Sequence, residues 1–272
     1  MTLTVTPELM RDLGCLAKRA GEAILRVRQA CLAEQHQVKL DGSPVTQADL
    51  AAHRVIAQGL AELTPDISVL SEEGQTVLEP ADRSSFWLVD PLDGTREFVA
   101  GSGEFTVNIA LIERETPVFG VVYVPMTAEL FWGGATIGAW VEQAAVQEPL
   151  RVAIRNASQP LRVMASKRHL NADTQAFLNK LGPIRLVNAG SSLKFCRIAQ
   201  GQADLYPRLG PTCEWDTAAA QAVLEGAGGH VFKLTGEPLE YGKRDPLNPS
   251  FIASSQPFSE LQSLLGAQGF TV

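Results

Sequence analysis

Residues 86–95 read Phe86-Trp87-Leu88-Val89-Asp90-Pro91-Leu92-Asp93-Gly94-Thr95. Four apolar residues in a row predict a strand, and the run stops at Asp90-Pro91. Pro91 removes a backbone donor and turns the chain. Gly94 permits a backbone conformation closed to other residues. Such a turn can aim Asp90, Asp93 and the Leu92 carbonyl at one point.

Upstream, Val69-Leu70 predicts a short strand ending at Ser71-Glu72-Glu73-Gly74. Before it, Leu50, Ile56, Leu60 and Leu63 recur with helical spacing, with Thr46 as an N-cap and Asp49 three residues on. Val38–Val45, with its Asp-Gly-Ser-Pro, predicts a turn. Leu9, Leu13, Leu16, Ala20, Ile24 and Val27 mark an amphipathic helix over 7–28. Downstream, 105–112, 117–124 and 129–132 predict a meander of strands. The stretch 133–160 is more broken and is where a join between lobes is expected.

The second half alternates. Strands are expected at 162–165, 184–187, 204–206 and 230–234, and helices at 174–181, 192–200 and 217–224. The layout is mixed α/β. It predicts an N-terminal α+β lobe, 1–150, and a C-terminal α/β lobe, 151–272.

The 272 residues suffice for a sizeable core. A net charge of -7 disfavours a nucleic-acid polymer as partner. It leaves room for a small anionic substrate, because bound cations invert the local charge. Cys15, Cys31, Cys196 and Cys213 show no C-x-x-C spacing and read as single thiols in a reducing compartment. No signal peptide and no membrane span are expected. The expected setting is cytoplasmic and soluble, with peripheral membrane association left open.

Three acidic clusters stand at strand ends or helix starts: Glu72-Glu73, Asp90 with Asp93, and Asp216. Asp49 is a fourth candidate. Carboxylates gathered without a counter-ion repel, and some take up a proton. A hard divalent cation removes that conflict, and an all-oxygen donor set favours magnesium, manganese or calcium over zinc. None of the four histidines has a metal-pair spacing. Two ions roughly 3.5–4 Å apart would suit a phosphoryl transfer. Taken singly, each cluster has a plainer reading. Asp49 and Asp216 also read as helix caps, Glu72-Glu73 as a solvated turn, and Asp90 with Asp93 as a structural turn.

Taken together and in order, Ser71-Glu72-Glu73, Asp90-Pro91-Leu92-Asp93-Gly94-Thr95 and Trp215-Asp216-Thr217-Ala218 resemble the inositol monophosphatase superfamily over nearly the whole chain. Gly190-Ser191-Ser192-Leu193-Lys194-Phe195-Cys196, Asp204-Leu205-Tyr206-Pro207-Arg208 and Gly210–Asp216 are similar to the 3'(2'),5'-bisphosphate nucleotidases of the bacterial CysQ type. The resemblance implies a layered α-β-α-β-α sandwich. It implies release of the 3'-phosphate of adenosine 3',5'-bisphosphate, a product of sulfate assimilation, and sensitivity to lithium.

The resemblance also assigns roles. Glu72, Asp90 and the Leu92 carbonyl would hold one magnesium ion. Asp90, Asp93 and Asp216 would hold a second, and Glu72 would touch a third, weaker one through water. Asp49 and Thr95 would position and deprotonate the attacking water. The Gly94 and Thr95 amides would receive phosphate oxygens, with Asp216 also touching substrate. Relatives are often dimers, so a homodimer is compatible.

Lys194 separates the substrates. The matching place in inositol monophosphatases looks uncharged. A second phosphate, away from the metals, needs a cation, and a lysine at a helix start supplies one. Gly190, Ser191 and Ser192 would complete that contact, with Arg208 a weaker candidate. The plainer reading makes Lys194 a solvated surface charge and one of the serines a cap. Rival functions are an inositol or sugar monophosphatase with the same metal chemistry, and a catalytically silent regulator.

Overall fold

A computed structural model of the chain describes residues 3–33, 44–74, 84–165 and 171–266. Helices α1 (Pro7–Ala33) and α2 (Pro44–Leu63) lead into a seven-stranded sheet. Its strands are β1 (Ser68–Ser71), β2 (Ser85–Asp93), β3 (Thr106–Glu113), β4 (Thr116–Val124), β5 (Glu129–Gly134), β6 (Gly138–Gln143) and β7 (Val146–Pro149), in that spatial order. β1 pairs parallel with β2, and the other neighbours are antiparallel. A one-turn helix, α3 (Thr95–Val99), follows β2.

The second sheet has the order β11-β12-β10-β8-β9. Its members are β8 (Leu161–Ala165), β9 (Ile184–Asn188), β10 (Leu205–Arg208), β11 (His230–Lys233) and β12 (Phe251–Ser254). β8 pairs parallel with β9 and β10, and β12 pairs antiparallel with β10 and β11. Helices α4 (Ala172–Lys180), α5 (Leu193–Ala199), α6 (Ala218–Gly226) and α7 (Phe258–Gly266) complete the chain.

Three apolar clusters stack these parts into five layers. Leu13, Leu16, Ala20 and Ile24 of α1, with Ile56 and Leu60 of α2, bury one face of the first sheet through Trp87, Val89, Ile109 and Val121. Its other face, carrying Phe86, Leu88, Ala110 and Val122, meets α5 and α6, which also cover Tyr206, Phe251 and Ala253 of the second sheet. Phe177 and Leu178 of α4 and Leu261 of α7 close the far side. The order is helices, sheet, helices, sheet, helices, as the resemblance implies.

The middle layer depends on small residues. A Cβ on Gly120 of β4 would lie 2.1 Å from the Ala219 carbonyl oxygen, so α6 rests directly on the sheet. Ala218, Ala219, Ala220 and Ala222 allow that approach. The stretch read as broken after Gly133 instead continues the sheet as β6 and β7, in register through Trp132–Trp140 and Val141–Glu148.

Two expectations for the N-terminal part need correction. Thr46 lies inside α2, so Asp49 is in the helix body and not in a capping box. The buried stripe of α2 is Ala48, Ala52, Ile56 and Leu60, while Leu50 and Leu63 are only half-buried. The turn expected at Val38–Val45 lies outside the described residues up to 43, and Pro44 and Val45 already belong to α2.

Candidate active site

β2 passes Asp90 and runs to Asp93, and its register against β3 explains the turn. Asp90 faces Asn108 and Asp93 faces Thr106, so three steps on β2 match two on β3. The extra residue makes a bulge at Pro91-Leu92, where proline has no ladder hydrogen bond to lose. The Leu92 amide donates to Asp90 Oδ1 at 3.0 Å, which fixes that carboxylate inside the bulge. Gly94 follows at φ +96°, and a Cβ there would meet Ser191 Oγ at 2.1 Å.

Asp216 arrives from the other half of the chain. It ends a 3-10 turn, Glu214–Asp216, and its Oδ2 accepts from the Cys213 amide at 2.9 Å. The carboxylate thus braces the short turn from its third position, and the N-cap of α6 is Thr217, so Asp216 is not the helix N-cap of its plainer reading. It also joins the bulge: one oxygen from each of Asp90, Asp93 and Asp216 lies within 4.8 Å of the others.

Burial first, and then proximity, raises the pKa of every member. Asp90 goes well above the usual carboxylate range because it is buried and faces Asp93, Glu72 and Asp216. Burial and Asp216 push Asp93 up to about 7, against the pull of Lys194 and the Ser192 amide. Burial pushes Asp216 up to about 6. Glu72, on the turn after β1, is raised by lost hydration and by Asp93 and Glu73, although a hydrogen bond with Asp90 works the other way. Asp49 of α2 adds a further carboxyl near Glu72 and Asp90; it is 5% exposed, and Oδ1 has no hydrogen-bond partner among the described residues. Burial, with Glu73 and Glu72, pushes it up to about 8.

An all-oxygen set with crowded charge and an orphaned buried oxygen fits a hard divalent cation. Such an ion would supply the missing positive charge.

The carboxylates open into a cleft of about 510 Å³ lined by Asp93, Thr95, Lys194, Tyr206, Arg208 and Asp216, among others. Lys194 is 6% exposed, so it is not a solvated surface charge. Its ammonium donates to the Ser191 carbonyl at 2.7 Å and lies 5.1 Å over the Tyr206 ring. Burial pulls its pKa down to about 8, although Asp93 favours the charged form. Arg208 also lines the cleft. One of its terminal nitrogens donates to the Pro211 carbonyl at 2.8 Å, while Nε is buried without a partner among the described residues.

A profile of the inositol monophosphatase family matches residues 11–268. The chain belongs to that family. It is 48% identical over 248 residues to the Escherichia coli K12 protein named 3'(2'),5'-bisphosphate nucleotidase CysQ, covering 90% of this chain and 99% of that one. It is similar to the crystal structure of CysQ from Bacteroides thetaiotaomicron, at 38% identity and a TM-score of 0.79, covering 91% of this chain and 98% of that one. Inositol monophosphatase II from Staphylococcus aureus, at 22% identity and a TM-score of 0.79, covers 96% of this chain and 93% of that one and shares the fold.

Among the residues expected to act in this inositol monophosphatase fold, Asp90, Asp93 and Asp216 come together, with Glu72 and Asp49 beside them. Gly94, Thr95, Ser191 and Lys194 line the cleft, and Gly190 is buried just behind. Ser192 departs from its expectation as a phosphate donor. It is 1% exposed, and its hydroxyl lies 2.8 Å from both Asn108 Oδ1 and Thr106 Oγ1. Its amide donates to Asp93 Oδ2 at 2.5 Å. The Ser191 hydroxyl is engaged with the Asp93 and Glu104 carbonyls. These serines, just before α5, fasten the bulge by direct hydrogen bonds to Asp93. Asn108 and Thr106, which reach the bulge through strand register, lie in an apolar-looking strand and carried no local signal. Cys213 borders the site, but burial and the surrounding carboxylates push its thiol up to about 11.

Proposed function

We propose that this protein is a magnesium-dependent phosphomonoesterase that converts adenosine 3',5'-bisphosphate and water to AMP and phosphate. The observation that carries the reading is one cleft lined both by carboxylates of the cluster, Asp93 and Asp216, and by the cations Lys194 and Arg208. The similarity to bisphosphate nucleotidases supports the same substrate. Such an activity would clear the bisphosphate left by sulfate assimilation.

In this reading Glu72, Asp90 and the Leu92 carbonyl would hold one magnesium ion, and Asp90, Asp93 and Asp216 would hold another. A third, weaker ion would touch Glu72 through water. Bound magnesium would neutralise charge growing on the phosphoryl oxygens and make water more acidic. The chain's own residues do the rest. Thr95, which opens α3, orients the attacking water and passes its proton toward Asp49 in α2, the element packed against α3. Asp49 Oδ1, buried with no partner among the described residues, is free to accept it once neighbouring cations let the carboxyl ionise. The water oxygen bonds to phosphorus, the bond to the 3'-oxygen breaks, and that oxygen takes up a proton. The Gly94 and Thr95 amides receive phosphate oxygens. Lys194 balances the phosphate that stays on the product, with Ser191 and Gly190 shaping the wall beside it.

Lithium should compete for the same oxygens. Among the described residues no helix is long and apolar enough to cross a membrane. A cytoplasmic setting agrees with four unpaired thiols.

The test is phosphate release with magnesium from adenosine 3',5'-bisphosphate, inositol 1-phosphate and fructose 1,6-bisphosphate. The nucleotide should give the highest kcat/KM. A higher value for inositol 1-phosphate would move the assignment to an inositol or sugar monophosphatase.

A further inference from the structure

Glu214 lies outside the carboxylate cluster, two residues before Asp216, and is 0% exposed. Donors from one short segment surround its carboxylate. The Gly242 amide donates at 2.6 Å and the Lys243 amide at 3.0 Å, and the Lys243 ammonium forms a short ion pair with it. That ammonium also donates to the Glu240 carbonyl at 2.8 Å. The backbone repeats the attachment. The Glu214 amide donates to the Pro246 carbonyl at 2.8 Å, and Cys213 bridges Leu247. Asn248 reaches the Cys213 carbonyl at 2.8 Å and Thr217 Oγ1 at 3.0 Å. Residues 240–248 thus grip both sides of the turn that presents Asp216.

The segment is in turn tied to the first sheet and to α6. The Tyr241 amide donates to the Glu115 carbonyl at 3.0 Å, and the Tyr241 hydroxyl donates to Gln221 at 2.6 Å. This matters because the cluster has two origins. Asp90 and Asp93 are set by the β2–β3 register, and Asp216 by a turn from the other half of the chain. A tilt of that turn changes the separation of Asp216 from the other two. A charge buried with its partner holds the tilt more firmly than a solvated loop would.

We propose that Glu214 and Lys243 are positioning residues for the divalent cation, setting where Asp216 stands relative to Asp90 and Asp93. This rests on the reading of the cluster as a magnesium site. The test compares the parent with Glu214→Gln, Lys243→Met and Lys243→Arg. Manganese binding is followed by the paramagnetic resonance of free ion, magnesium binding by calorimetry, and the metal-free Tm is recorded for each. Glu214→Gln and Lys243→Met should weaken binding roughly tenfold, the scale of losses when groups supporting metal ligands are removed. Lys243→Arg, which keeps charge and donors, should stay within about threefold of the parent. Variants that lose Tm but bind metal like the parent would reduce the pair to a brace of the fold and overturn the proposal. If Glu214→Gln does not fold, the two Lys243 variants decide, since that side chain is 30% exposed. A parent that binds neither ion overturns the metal reading and this inference with it.

Discussion

In the acidic group of the site Asp90, Asp93 and Asp216 crowd oxygens within 4.8 Å, and burial with mutual repulsion drives their pKa values up. In the cationic group beside it, Lys194 is buried against Tyr206, and burial drives its pKa down to about 8. The two groups carry opposite frustrations. The first is relieved by a cation and the second by an anion. A ligand complex that brings a metal and two phosphates relieves both, and a simple monophosphate leaves one phosphate to serve both groups. Removing a charge from either group should therefore damage different quantities.

The largest effect should follow Asp93→Asn. The amide keeps an oxygen for the Ser192 N–H, so the bulge stays fastened, but a charge is lost where the cation is expected. Magnesium-dependent phosphate release should fall on the order of 10²–10³-fold or more on every substrate, with the far-ultraviolet circular dichroism unchanged. Activity within a few fold of the parent would break the comparison in its acidic group.

Lys194→Ala should come next, and selectively. Losing a charge-assisted contact to phosphate is worth roughly 1.5–3 kcal/mol, about ten- to a hundredfold. That loss should appear in kcat/KM for adenosine 3',5'-bisphosphate. Inositol 1-phosphate, which has no second phosphate to place, should be much less affected. Equal losses on both would make Lys194 a support of Asp93, whose carboxylate it also stabilises.

The acidic group was far more legible in the sequence than the cationic one. Asp90–Thr95 is a contiguous turn after an apolar run, so strand, bulge and ligands are all local. Asp216 and Glu72 needed the ordered set of motifs, because their convergence depends on tertiary packing. The five-layer order followed from the same resemblance, whereas β6, β7 and β12 were missed because short strands in turn-rich sequence show little alternation. The bland reading of Lys194 failed because burial at 6% is set by α5 packing between two sheets, which local pattern does not record. Nothing local marks Glu214, which stands between Cys213 and Trp215. Its partner Lys243 is remote in sequence, so no spacing could reveal the pair.

Ser192 gives the smallest expected effect and sharpens the boundary between the two groups. By sequence it belongs with Lys194, yet its hydroxyl meets Asn108 and Thr106, and its amide meets Asp93. Ser192→Ala removes the hydroxyl and leaves the amide donating. The buried Asn108 and Thr106 groups lose a partner, which costs about 1–3 kcal/mol of stability. In a chain of this size each kcal/mol moves Tm by roughly 2–4 °C. Steady-state kinetics should change little, because Asp93 keeps its backbone donor: kcat within about threefold, and KM for adenosine 3',5'-bisphosphate unchanged. A KM rise as large as that of Lys194→Ala would return Ser192 to the cationic group. A falling Tm with an unchanged KM would place it with the bulge, as a contact made by the substrate-side loop on behalf of the metal side.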